Sequence, residues 1–175
     1  MEIYLVRHTK PDIDSGICYG QADIDVAETF EEEATAIKKL LPADIQQLYC
    51  SPLNRCKKLA QYIFPERTIE YADELKEMYF GEWELQSWDA IAQEPLNTWM
   101  QDFVNVRVPG GENYLDLHAR TIQCFESIIA KKESAIVFSH AGNIRSILSY
   151  LNNIPLNESF SKFKVEYGAV IKTIS

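Results

Sequence analysis

Positive charge, paired cysteine and long apolar runs are all in short supply in this chain, and each shortage excludes something. Seventeen lysines and arginines stand against 26 aspartates and glutamates, for a formal net charge of -9. So acidic a surface is a poor match for nucleic acid or an anionic membrane. The four cysteines, Cys18, Cys50, Cys56 and Cys124, are scattered without a CxxC pair, which excludes a zinc ribbon or a redox motif. They are expected as free thiols, with Cys50 a small hydrophobe at a strand end. No apolar run is long enough to span a bilayer. The chain enters a strand-like segment directly, without the charged, apolar and cleavage-site succession of a secretory signal, so a cytoplasmic location is expected. Repeats, low-complexity tracts and linkers are missing. With 175 residues, 46% of them hydrophobic, the chain suffices for one well-buried core and is too short for two ordinary domains. A single domain over residues 1–175 is expected.

What is present is an alternation of strand and helix signals. Residues 2–6 read as a buried first strand, followed by a polar loop from Lys10 to Ala27. Thr29 with Glu32 has the spacing of a capping box, opening an amphipathic helix to about Leu41 that Pro42 ends. The Glu31-Glu32-Glu33 run is expected as a solvated face near its N-terminus. A second strand covers about Ile45 to Cys50. Ser51 is placed as an N-cap and Pro52 as the first residue of a helix to about Ile63. Thr68 to Tyr71 alternates as a third strand. From Leu75 to Gly111 the chain is irregular and holds all three tryptophans. Short helices near Ser87 to Gln93 and Leu96 to Phe103 would make 75–111 a cap or side subdomain. Apolar or small residues at Leu115, Ala119, Ile122, Phe125, Ile128 and Ile129 mark a long helix from Glu112 to Lys131. Ser134 to Phe138 reads as a fourth strand, and a helix after Gly142 runs to about Leu151. Phe163 to Val165 and Ala169 to Ile174, joined at Tyr167-Gly168, suggest two closing strands.

Three polar clusters each follow an apolar strand-like run: Arg7-His8-Thr9, Ser51-Pro52-Leu53-Asn54-Arg55 and Ser139-His140-Ala141-Gly142-Asn143. Carboxyl ends of parallel strands face one crevice, so residues distant in sequence meet there. The pooled inventory, two imidazoles and two guanidiniums, suits a phosphoryl group.

The run Leu5-Val6-Arg7-His8-Thr9 resembles the signature of the histidine phosphatase superfamily, the phosphoglycerate-mutase-like fold. Four further stretches resemble family motifs in the right order: Ser51 to Arg55, Glu77 ahead of Phe80-Gly81-Glu82-Trp83, Pro109-Gly110-Gly111-Glu112, and Ser139 to Arg145. The match runs from residue 3 to about residue 145. Arg7-His8-Thr9 followed by Cys18-Tyr19-Gly20-Gln21-Ala22-Asp23 is most similar to the α-ribazole phosphatase branch, from the cobalamin pathway. The resemblance implies an α/β three-layer α/β/α sandwich with a mainly parallel central sheet. It also implies hydrolysis of a small phosphorylated metabolite, with α-ribazole 5'-phosphate in cobalamin synthesis as the candidate, and with no metal and no cofactor.

The resemblance makes His8 the nucleophile that becomes a phosphohistidine, its other ring nitrogen held by a backbone carbonyl. It makes Arg7 and Arg55 the clamps on the phosphoryl oxygens, and His140 a donor to the same group. Ala141-Gly142 is a small-residue turn that lets the backbone approach a ligand, so Ala141 joins the phosphate-binding set. Glu77 is the candidate general acid and later the base that activates water. An apolar setting would favour its protonated form, and Glu82 and Glu84 are its rivals. Tyr19, Gly20 and Gln21 are expected to line the pocket. Arg145, deeper in its helix, is given a structural role, and His118 that of a half-exposed helix residue. Thr9 and Asp14 fall where many relatives carry Gly and a phosphate-touching Asn, and an anionic Asp14 there would repel phosphate.

Between Glu77 and Glu112 the only lysine or arginine is Arg107. A mutase must grip a second anionic group, so this cap favours a phosphatase whose substrate has a neutral or aromatic remainder. Trp83, Trp88, Trp99, Tyr79 and Phe80 are available to stack on it. Mutase-type phosphoryl transfer and a catalytically silent phosphate-binding module are the alternatives, and monomer and homodimer both stay open.

Overall fold

In chain order the computed structural model, which describes residues 1–174, contains β1 (Glu2–Arg7), α1 (Phe30–Lys38), β2 (Gln47–Cys50), α2 (Asn54–Ile63), β3 (Glu70–Tyr71), α3 (Gln93–Gln101), α4 (Tyr114–Ala130), β4 (Ala135–Ser139), α5 (Ala141–Asn152), α6 (Ser159–Lys162) and β5 (Val170–Ile174). Ser175, the last residue of the expected domain, lies outside the described residues. The strands form one sheet in the order β3-β2-β4-β1-β5. Only β5 is antiparallel, along β1 at the edge.

Alternation along the central strands divides the core between two faces. Ile3, Leu5 and Val137 point to one, where Phe125 and Ile128 of α4 and Ile144 and Ile147 of α5 cover them. Val6, Leu48, Ile136 and Phe138 point to the other, beneath Ala34 and Ile37 of α1 and Cys56, Leu59 and Ile63 of α2. This is the mainly parallel α/β/α sandwich expected. A third apolar cluster, with Met78, Trp83, Ile91, Leu96 and Val108, packs on Tyr114 and Leu117 of α4. No helix among the described residues is long and apolar enough to cross a membrane.

Several local expectations are corrected. Thr29 stands at the N-cap of α1 but its backbone is not extended (φ -76°, ψ 1°), so no capping box forms. Its hydroxyl instead donates to Glu33, which also accepts the Lys10 N–H. The N-cap of α2 is Leu53, two residues beyond Ser51, so Pro52 precedes the helix. The expected helices at Ser87–Gln93 and Leu96–Phe103 are a 3-10 turn at Trp88–Ala90 and the single helix α3. Pro95 is tolerated in its first turn, where backbone N–H groups have no intrahelical partner. The third strand shrinks to two residues. Helix α4 starts after a capping box that pairs Asn113 with Asp116. Phe163 to Val165 is not a strand. Its carbonyls turn to arginines, Phe163 O accepting from Arg145 and Val165 O from Arg7.

Candidate active site

Register brings the motifs together. Arg7 lies opposite Ser139 in the parallel β1–β4 pair, and Cys50 opposite Phe138 in the β2–β4 pair. The residues that follow, His8, His140 and Ser51, therefore emerge side by side at the carboxyl ends of three adjacent strands. The His8 and His140 ring centroids are 5.1 Å apart. His8 is buried, its Nδ1 is 2.7 Å from the Thr9 carbonyl oxygen, and its own carbonyl accepts from Gly168 N. A carbonyl can only accept, so Nδ1 carries the proton and Nε2 keeps the lone pair. Thr9 thus serves through its backbone. Burial first, then the Arg55 and Arg7 guanidiniums, hold the His8 imidazole well below its usual pKa, and the same causes act on fully buried His140. Both rings are neutral at pH 7.

Arg55, the second residue of α2, is wholly buried. Its guanidinium donates to the carbonyls of Ala22, at 3.0 Å, and Gly20, at 2.5 Å. Arg7 donates to Val165 O at 2.7 Å and lies 4.0 Å from the centre of the Tyr167 ring. Buried Nε atoms of Arg7 and Arg55 have no partner among the described residues, and neither side chain meets a carboxylate there. Two uncompensated guanidiniums make the position strongly receptive to an anion.

Glu77 is half-buried, and its carboxylate accepts from Met78 N at 2.9 Å and Gly142 N at 3.1 Å. Two backbone donors hold it within the cleft, beside the apolar side chains of Met78 and Phe80. A Cβ on Gly142 would come within 2.2 Å of Glu77 Oε1, so the small turn makes room for Glu77 rather than only for a ligand. The rivals are occupied elsewhere. Glu84 accepts from the N–H groups of Gly20, Gln21, Ala22 and Phe80, clamping the loop whose carbonyls hold Arg55. Glu82 is exposed on the 3-10 turn Gly81–Trp83.

Arg7, His8, Tyr19, Arg55, Glu77 and Ala141 line one cleft of about 310 Å³, walled by Phe80, Trp88, Trp99 and Phe103. His140 lies beneath, its Nε2 2.8 Å from Ser51 Oγ, which makes Ser51 a partner of His140 rather than a cap. Cys56 Sγ is 3.6 Å from the same nitrogen, and burial pushes its thiol up to about 12. Gly20 and Gln21 do not line the cleft and stand behind it, Gln21 donating to the Glu77 carbonyl. Gly20 is required there, since a Cβ would meet Met78 O at 1.8 Å. Asp14 lines a neighbouring hollow instead. His118, half-buried, bonds Ser146 Oγ. Two residues of the site escape sequence reasoning. Tyr167 covers Arg7 and His8 and bonds the Tyr19 hydroxyl at 2.7 Å. Arg145, besides its structural bond to Phe163 O, lines the cleft. Tyr167 carries no local motif, and Arg145 lies inside one without any sign that its side chain turns toward the cleft.

Fold and geometry together define an α/β protein with an anion-receptive cleft at the carboxyl ends of its parallel strands. The chain belongs to the Histidine phosphatase superfamily (branch 1), whose sequence profile matches residues 3–173. It is 26% identical over 178 residues to the adenosylcobalamin/alpha-ribazole phosphatase of Salmonella typhimurium, covering 96% of this chain and 87% of that protein. Among solved structures, the alpha-ribazole phosphatase of Shigella flexneri superposes with a TM-score of 0.90 at 22% identity, over 98% of this chain and 89% of that one. Mycobacterial glucosyl-3-phosphoglycerate phosphatase superposes at 0.85 with 18% identity, over 98% and 88%. Likeness to the α-ribazole branch thus holds in sequence and in fold.

Proposed function

We propose that this protein is a metal-independent phosphate-monoester hydrolase for a small phosphorylated metabolite, working through a phosphohistidine. The observation that carries the reading is the His8 tautomer: Nδ1–H bonded to Thr9 O leaves the Nε2 lone pair in the cleft lined by Arg7 and Arg55, whose Nε atoms have no partner among the described residues. In this reading Nε2 attacks phosphorus, the phosphorus–oxygen bond breaks, and Glu77 gives its proton to the departing alkoxide. Water then attacks phosphorus, Glu77 takes a proton from it, and the phosphorus–nitrogen bond breaks to restore His8. Arg7 and Arg55 neutralise the oxygens throughout, and neutral His140 is assigned a hydrogen bond to one of them. Guanidiniums supply the positive charge that a metal otherwise would. Residues 75–111 act as the cap of a single domain. α-Ribazole 5'-phosphate is the first substrate to try, on the name of the Salmonella relative.

The test is rapid quenching without acid after brief incubation with a phosphate ester. Phosphate is expected on His8, labile to acid and stable to base, and absent in His8→Ala. Phosphate on a serine or aspartate would overturn the mechanism. Turnover is expected to survive EDTA, and a loss restored by a divalent ion would overturn metal independence.

A further inference from the structure

The proposed hydrolysis leaves one charged side chain of the cleft without a task. Arg145 follows Ala141 by one turn on α5, and both line the cleft with Arg7, His8 and Arg55. Its Nε donates to Phe163 O at 3.1 Å and its guanidinium lies 4.5 Å from the centre of the Phe160 ring. These contacts hold one edge and one face. Among the described residues no carboxylate pairs with it, and neither terminal nitrogen meets an acceptor. In a chain of 26 acids and 17 bases, a half-buried arginine with no carboxylate in contact, only Glu77 of the same cleft acting on it through space, is costly unless something else answers its charge. The stacked Trp88–Trp99 pair, 6.1 Å apart at 20°, contributes to the apolar wall of the same cleft. In such surroundings a cation–acceptor contact is worth more than in water. The buried Trp99 indole N–H also lacks a partner among the described residues.

We propose that Arg145 recognises a hydrogen-bond acceptor, a carboxylate being the strongest, on the non-phosphate part of the substrate. The cleft then selects phosphate esters of flat, ring-bearing molecules that present such an acceptor over plain aryl esters. This revises the neutral remainder expected from the cap sequence. Arg107, the only lysine or arginine between Glu77 and Glu112, is occupied by Asp116 and Gly111 O, and the cation left for the rest of the substrate arrives from α5. The proposal rests on the phosphatase reading only for the phosphate end of the ligand.

Phenylphosphonate and its meta- and para-carboxy derivatives test it by calorimetric binding, since their carbon–phosphorus bond is not hydrolysed and affinity is read whether or not esters turn over. At least one carboxylated probe is expected to bind the unaltered protein about tenfold more tightly than phenylphosphonate, as a charge-assisted hydrogen bond in an apolar cleft predicts. In Arg145→Met that ratio is expected to fall to near one, and in Arg145→Lys to lie between. Equal affinities for plain and carboxylated probes in the unaltered protein, or a preference that survives Arg145→Met, would overturn the proposal. Thermal melting checks that the variants fold, and the comparison within the unaltered protein decides even if Arg145→Met does not. Failure to hydrolyse any ester would sink the phosphatase reading and leave the binding result standing.

Discussion

Glu77 and Glu84 are equal in charge and opposite in setting. Glu84 has its oxygens committed to four backbone N–H groups, whereas Glu77 is held by two and faces the cleft. Glu84→Gln replaces an oxygen with a donor that meets another donor, so we expect a loss of about 2 kcal/mol, read by urea denaturation. Activity there should fall uniformly across substrates as the Arg55 loop loosens. Glu77→Gln should slow phosphohistidine formation from alkyl phosphates by about 100-fold or more, and that from p-nitrophenyl phosphate only a few-fold, because nitrophenolate leaves without a proton. Rapid-quench measurement of that step separates the two. A leaving-group dependence that appears in Glu84→Gln instead would move the acid assignment away from Glu77.

Elements carry the next scale, since α5 begins at the site and α4 buttresses it. Gly142→Ala gains up to about 1 kcal/mol of intrinsic helix propensity, yet its Cβ would sit 2.2 Å from Glu77 Oε1. We expect the variant to fold and to show the same leaving-group dependence as Glu77→Gln. Uniform slowing would mean that Gly142 serves the phosphate directly. Asn113 accepts from Asp116 N, and Asp116 from Asn113 N, at the head of α4. Asn113→Ala is expected to cost about 1 kcal/mol and lower Tm by ~2–4 °C without changing kcat.

The whole molecule should register the buried imidazoles as a dependence of stability on pH. His8 and His140 have depressed pKa values when folded, so below about pH 6.5 the unfolded chain takes up protons that the folded one refuses. Stability is therefore full above that point and declines as pH falls toward the folded values, by about 1.4 kcal/mol per pH unit for each ring. Half-buried His118 shifts the same way and adds in the same direction. Urea denaturation between pH 5 and 7.5 checks this, with the His8→Gln, His140→Gln double variant expected to flatten the slope. An unchanged slope in that variant would place the proton uptake elsewhere.

Strand–helix alternation, the polar clusters after three strands and the ordered motifs were legible in the chain, because local periodicity and short spacings encode them. The parallel sheet follows from that alternation, and so does the meeting of Arg7, His8, Ser51 and His140. Less local matters were not. Thr29 and Ser51 have the chemistry of caps, but their hydroxyls went to Glu33 and to His140, partners that only packing supplied. Phe163 to Val165 has strand composition, yet its carbonyls answer Arg7 and Arg145, because charged donors in a closed site compete successfully with a ladder at a sheet edge. Composition cannot rank Glu77 above Glu84 either. Their separation rests on which backbone N–H groups surround each carboxylate, and Tyr167 reaches Arg7 and His8, and Arg145 the cleft, only when distant segments close over them. Residue chemistry and local period are written along the chain, whereas the direction a side chain faces depends on neighbours that folding alone assembles.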